Sequence, residues 1–140
     1  MKTEVTATLE QTQALARELA KEIAGRHTVV TLKGELGSGK TTFAKAFVEA
    51  TGVLQQIVSP TYVLMNQYQT PTQQQLYHLD LYRLEDLKEV LDIGIKEILS
   101  EANAIVLIEW PEKIETFLPA ETISVQFEVL NETTRKITVN

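Results

Sequence analysis

Residues 34 to 41 read Gly34-Glu35-Leu36-Gly37-Ser38-Gly39-Lys40-Thr41 and fit the pattern G-x-x-x-x-G-K-[ST] in full. Residue types at this spacing suit one chemistry, the holding of a polyphosphate. Gly34, Gly37 and Gly39 let the backbone turn tightly, with Ser38 between them, and present successive N–H groups to phosphate oxygens. A helix that starts near Lys40 adds the positive end of its dipole. The Lys40 ammonium can reach the β and γ phosphates, and the Thr41 hydroxyl can ligate Mg²⁺. These residues are the candidate site for ATP or ADP.

A metal site of this kind needs an acid on a neighbouring strand. Glu109 directly follows the apolar run Ala104 to Ile108, and ligands of open α/β sheets gather at the carboxyl ends of strands. Glu109 is therefore the second candidate for the Mg²⁺, although aspartate is commoner there; the bland alternative is an exposed acid just outside the sheet. His78, Asp80 and Tyr82 alternate along Leu76 to Tyr82 and share one strand face, opposite Tyr77, Leu79 and Leu81. Asp80 could orient an attacking water or hold Mg²⁺ through water, and Arg83 could offset charge in the transition state. A solvated face with an Asp–Arg surface pair fits the spacing equally well. Ser59-Pro60-Thr61-Tyr62 reads either as an ordinary loop-to-strand junction or as a segment that orders around a γ-phosphate.

The elements that must position these groups follow from pattern. The chain of 140 residues suits a single domain, here the span 1–140. A first helix is expected over Leu9 to Ala24, with a capping box at Thr8 and Gln11, a stripe of Leu15, Leu19 and Ile23, and Gly25 at its end. Thr28 to Leu32 is a short strand rich in β-branched residues. The helix after the glycine loop runs from Lys40 to about Thr51, with Phe43 and Phe47 one turn apart and Gly52 closing it. Tyr62 to Tyr68 and Leu76 to Tyr82 are expected as a hairpin across the loop Gln69 to Gln75. Leu84 to Leu91 and Ile95 to Leu99 are expected as helices, Ala104 to Ile108 as a strand buried on both faces. Thr122 to Val129 and Arg135 to Val139 are expected as antiparallel strands at the edge of the sheet. The whole is an α/β sandwich of the P-loop NTPase type, with a mixed, largely parallel central sheet, a β-hairpin and antiparallel C-terminal strands.

Composition narrows the function. The net charge of -6 argues against a chain that grips nucleic acid alone, because such binding rests on Lys and Arg neutralising phosphates. No run has the length of a membrane span, the first residues have no secretory h-region, and there is no cysteine. A cytoplasmic setting without membrane contact is expected.

Taken in order, Gly34 to Thr42, Ser59-Pro60-Thr61-Tyr62, His78-Leu79-Asp80-Leu81-Tyr82-Arg83-Leu84 and Ile108-Glu109-Trp110-Pro111 resemble the motifs of the bacterial TsaE (YjeE) family. The resemblance runs from the first helix to about Pro111. The glycine loop is shared widely; the combination of HxDxYR with EWP is far more specific. The resemblance implies an ATPase of low turnover that serves the formation of N6-threonylcarbamoyladenosine in tRNA. It implies association with a TsaB–TsaD complex, with TsaD performing the transfer; the net charge of -6 makes any contact with tRNA indirect. By position the resemblance implies phosphate binding by Lys40, metal association of Thr41 and Glu109, and support of hydrolysis by Asp80. Thr42 joins the nucleotide loop, and Thr12 matches a threonine that the family carries near the nucleotide. Beyond Pro111 the sequence is less distinctive, and Arg135 reads either as a nucleotide neighbour or as a surface arginine.

The main alternative is a small-molecule kinase, a class for which the chain is short and lacks an arginine-bearing lid. A GTPase would need an [NT]-K-x-D segment, which is absent. A nucleotide-gated binding module, reset by hydrolysis, differs little from the accessory ATPase.

Overall fold

The computed structural model describes residues 2–61 and 63–140. Seven strands form one sheet in the order β1-β7-β6-β2-β5-β4-β3. They are β1 (Lys2–Thr6), β2 (Thr28–Lys33), β3 (Met65–Gln69), β4 (Gln75–Asp80), β5 (Ile105–Glu109), β6 (Ile123–Val129) and β7 (Arg135–Val139). The four central strands, β6, β2, β5 and β4, are mutually parallel, and the outer pairings β1–β7, β7–β6 and β4–β3 are antiparallel. The mixed, largely parallel α/β sheet expected from the pattern is the one observed.

The period of two along the strands divides the core into two layers. Val30, Leu32, Leu76, Ile105 and Leu107 pack on one face with α1 (Leu9–Glu22) and α2 (Lys40–Ala50), where Phe43 meets Phe127 edge to face at 5.4 Å. Val29, Tyr77, Leu79, Val106 and Ile108 pack on the other, against α3 (Leu87–Asp92) and α4 (Ile95–Ser100). Every residue of β5 is buried, which is what an unbroken apolar run between two helical layers requires.

Several boundaries differ from the sequence expectation for local reasons. Leu81 to Asp86 are not helical; α3 starts only at Leu87, because Asp86 caps it by accepting from the Lys88 N–H at 2.9 Å while Glu89 reaches back. Residues 63 and 64 form a turn in place of strand, since the N–H groups of Val63 and Leu64 both donate to the Pro60 carbonyl, at 3.1 and 2.8 Å. Tyr62, with which the expected strand began, lies outside the described residues. The C-terminal strands are not at the sheet edge. β6 lies inside, parallel to β2, and β7 is covered by β1, a strand the pattern did not single out. Its β-branched residues Thr3, Val5 and Thr6 were the available signal. Among the described residues no helix is long and apolar enough to cross a membrane.

Candidate nucleotide site

The parallel strands β2, β5 and β4 end at the same level, with Leu32 beside Glu109 and Glu109 beside Asp80. The glycine loop leaves β2 at this edge and enters α2, so the loop, Glu109 and Asp80 converge by topology. They line a cleft of about 660 Å³, together with the N-cap Thr8 and Leu9 and Thr12 of the first helix, Thr61, Tyr82, Arg83, Trp110 and the turn at Glu132 and Thr133.

Within the loop, Gly37 and Gly39 have φ of +77° and +105°, a conformation that side-chain-bearing residues avoid. Gly34 is needed for another reason: a Cβ there would lie 2.7 Å from Ser38 Oγ and 2.9 Å from the Phe127 carbonyl oxygen. Gly39 is also the N-cap of α2 and offers no side-chain bond, leaving the first-turn N–H groups to other partners. Ser38 is buried, and its Oγ has no hydrogen-bond partner among the described residues. Thr42 is half-buried and lines the cleft.

Lys40 is 5% exposed. Its ammonium donates to the carbonyls of Gly34 and Glu35, the latter at 2.9 Å, and sits 3.7 Å from the centroid of the Trp110 ring. Burial pushes the Lys40 pKa below its ordinary value, against the opposing field of Glu109, Glu112 and Asp80. A desolvated cation whose direct partners are neutral carbonyls and a ring favours the arrival of an anion. Trp110 reaches this place because its backbone is left-handed, φ 58°, where β5 turns into the 3₁₀ segment Pro111–Phe117.

The acids are built in, not solvated. Glu109 is 1% exposed, and its two oxygens are divided: Oε1 accepts from Thr41 Oγ1 at 3.3 Å and Oε2 faces His78 Nε2 at 2.8 Å. The reading of Glu109 as an acid outside the sheet is excluded by this placement. Asp80 is buried; Oδ2 accepts from Thr61 Oγ1 at 2.8 Å and Oδ1 from the Tyr82 N–H at 3.0 Å. Thr61 is in turn tied to Ser59, with 2.8 Å between the hydroxyl oxygens. His78 and Asp80 share the face of α2, as the alternation implied, whereas Tyr82 lies beyond the strand end and packs its ring 5.0 Å from that of Trp110.

Thr12 lies at the cleft wall, and its hydroxyl is 2.9 Å from that of Thr6 on β1. Arg135 is no plain surface arginine: its guanidinium donates to the carbonyls of Ser38 at 3.1 Å and Gly37 at 3.3 Å, bracing the glycine loop from β7. Sequence reasoning missed the His78–Glu109 pair, the Lys40–Trp110 contact and this brace. Only for the last was there a signal, an arginine opening an otherwise apolar–polar strand.

The oxygen donors at the cleft suit a hard divalent cation. Among the described residues no three of His, Cys, Asp and Glu converge as a metal cage. A hydroxyl and a carboxylate side by side fit Mg²⁺, which keeps several waters and takes its remaining ligands from phosphate.

Comparison with known proteins agrees with this architecture. A family model described as "Threonylcarbamoyl adenosine biosynthesis protein TsaE" matches residues 6–137. The tRNA threonylcarbamoyladenosine biosynthesis protein TsaE of Bacillus subtilis is 37% identical over 129 residues, covering 92% of this chain and 78% of that protein. Its namesake from Treponema pallidum is 38% identical over 112 residues, 80% of this chain and 81% of that protein. The crystal structure of Bacillus subtilis YdiB superposes with a TM-score of 0.75 at 32% identity, over 99% of this chain and 83% of that one. With its glycine loop, its buried strand-end acids and these relatives, the chain belongs to the TsaE family of threonylcarbamoyladenosine biosynthesis proteins.

Proposed function

We infer that this chain is the ATP-binding accessory protein in the formation of threonylcarbamoyladenosine in tRNA, and that residues 1–140 act as one P-loop ATPase domain. The observation that carries the site assignment is Lys40, a buried ammonium at the start of α2 with no anion in direct contact among the described residues. ATP supplies that anion. The N–H groups of Gly37 to Thr42 would hold its phosphates, with Thr12 near the base or sugar. Thr41 and Glu109 would hold Mg²⁺, which offsets phosphate charge when bound.

In hydrolysis, water attacks the γ-phosphorus, the bond to the β–γ bridging oxygen breaks, and ADP and phosphate leave with one proton released. Asp80 would orient that water. Its oxygens already accept from Thr61 and Tyr82, which hold the carboxylate still, and an ionised carboxylate retains acceptor capacity for one bond more. The same bond makes Ser59 to Thr61 a candidate for the segment that responds to the γ-phosphate.

The described residues that line the cleft are the glycine loop, the two strand-end acids and their immediate neighbours, which favours a conformational role over a kinase role. ATP hydrolysis shifts an equilibrium only if the ATP and ADP states differ in affinity for a partner. The partner proposed is a TsaB–TsaD-like complex, as the resemblance to the TsaE family implies, with tRNA contacted through it. Reconstitution with such a complex tests the reading. Association is expected with ATP and not with ADP, hydrolysis is expected to rise in the complex, and repeated rounds of modification are expected to need Lys40. Cycling that is unchanged with Lys40→Ala contradicts it.

A further inference from the structure

We propose that His78 is the positioning residue of the metal-side carboxylate: it fixes which oxygen of Glu109 faces the glycine loop, and so sets Mg²⁺ affinity without touching Mg²⁺ or nucleotide. The proposal rests on the reading of Glu109 as a metal-associated residue.

His78 is 3% exposed and lies one layer deeper than Asp80 on the same face of β4. Across the parallel pairing it stands opposite Leu107, two residues before Glu109. A carboxylate oxygen can only accept, so the hydrogen in the 2.8 Å contact belongs to His78 Nε2. Nδ1 is buried and has no hydrogen-bond partner among the described residues. An imidazole with half of its bonding capacity unmet in the core is a poor space-filler, since an aliphatic side chain would meet the same apolar layer without an unpaired polar atom. What His78 contributes is its single bond to Glu109.

That bond divides the carboxylate. With Oε2 taken from below, Oε1 is turned toward Thr41 Oγ1 at 3.3 Å, on the cleft side. Without His78 the carboxylate is free to rotate about its last torsion, which is broad and roughly two-fold, and Oε2 becomes a buried acceptor without a donor. Groups that orient a metal's ligands in this way typically affect metal affinity by tenfold or more when removed.

The test compares His78→Leu, His78→Gln and Glu109→Gln in the full chain. Calorimetry measures ADP affinity with and without Mg²⁺, and Mn²⁺ binding to the ADP complex is read by electron paramagnetic resonance. His78→Leu is expected to keep Mg²⁺-free ADP affinity within about twofold and to weaken Mn²⁺ binding by about tenfold or more. His78→Gln, whose amide N–H can replace Nε2, is expected to recover most of the loss. Mn²⁺ affinity unchanged in His78→Leu, with Glu109→Gln impaired, overturns the role of His78 alone. Both metal readings fall if Glu109→Gln binds Mn²⁺ like the unaltered protein. Equal loss in His78→Leu and His78→Gln, with Mg²⁺-free ADP affinity reduced as well, marks His78 as a packing residue and also overturns the proposal.

Discussion

Asp80 and Glu109 are register partners at the ends of two adjacent parallel strands, β4 and β5, so that two buried carboxylates stand side by side at the mouth of the glycine loop. Each is held by different donors, Asp80 by Thr61 and the Tyr82 N–H, Glu109 by Thr41 and His78. Equivalent by topology, they are set apart by their neighbours, and separate tasks are expected of them.

Asp80→Asn is expected to lower the rate of hydrolysis by about 10²-fold in the presence of partners, with ATP affinity little changed, since it removes a group assigned to water. Glu109→Gln is expected to raise the Mg²⁺ concentration needed for half-maximal rate. Steady-state kinetics over a Mg²⁺ series separates the two. Unaltered turnover in both variants contradicts the assignments.

Lys40→Ala is expected to weaken ATP binding by about 1.5–3 kcal/mol, the scale of a charge-assisted hydrogen bond. Because the Lys40 ammonium lies over Trp110, the sole tryptophan, its capture by phosphate also changes the indole's surroundings. Titration with ATP is expected to alter the tryptophan emission of the unaltered protein and to leave that of Lys40→Ala nearly constant. Calorimetry and fluorescence check the two halves independently.

Gly34→Ala is expected to destabilise the fold by about 1–3 kcal/mol, the usual range for an overpacked site. The new methyl meets the Phe127 backbone carbonyl at 2.9 Å, which cannot move without disturbing β6. Denaturant unfolding measures this; a neutral result means that the loop does not approach β6 so closely.

Arg135→Ala is expected to weaken ATP binding by several-fold with a small loss of stability, about 1 kcal/mol, because it frees the carbonyls of Gly37 and Ser38 from their brace. Affinity and thermal unfolding measured together show whether the effect is on the loop or on β7.

Stability is expected to fall as pH rises from about 10 to about 12. Burial, and then the 2.8 Å hydrogen bond to Glu101, push the Tyr77 pKa up from 10.0 to about 12. Between those values the unfolded chain loses the phenolic proton that the folded chain keeps, so the unfolded state is favoured. Tyr77→Phe is expected to cost about 1 kcal/mol at neutral pH and to flatten this alkaline decline. Unfolding followed over pH 9 to 12 in both proteins checks the sign.

How the chain divides between local and tertiary information is visible in these same residues. The sequence by itself determined the phosphate loop, because its chemistry lies in eight contiguous residues and its flanks carry strand and helix periodicity. It also determined α1, through a local cap, and β5, through an unbroken apolar run. Glu109 and Asp80 were legible as strand-end acids, since alternation and run length are local. The tertiary structure alone decided that both are buried, that His78 meets Glu109, that Trp110 lies over Lys40 and that Arg135 braces a loop 97 residues away in sequence. Each of these contacts depends on strand order, and strand order is set by how the sheet buries both of its faces. For the same reason the pattern could not show that β6 lies inside the sheet and β1 at its edge: a half-buried strand alternates in the same way wherever it is placed.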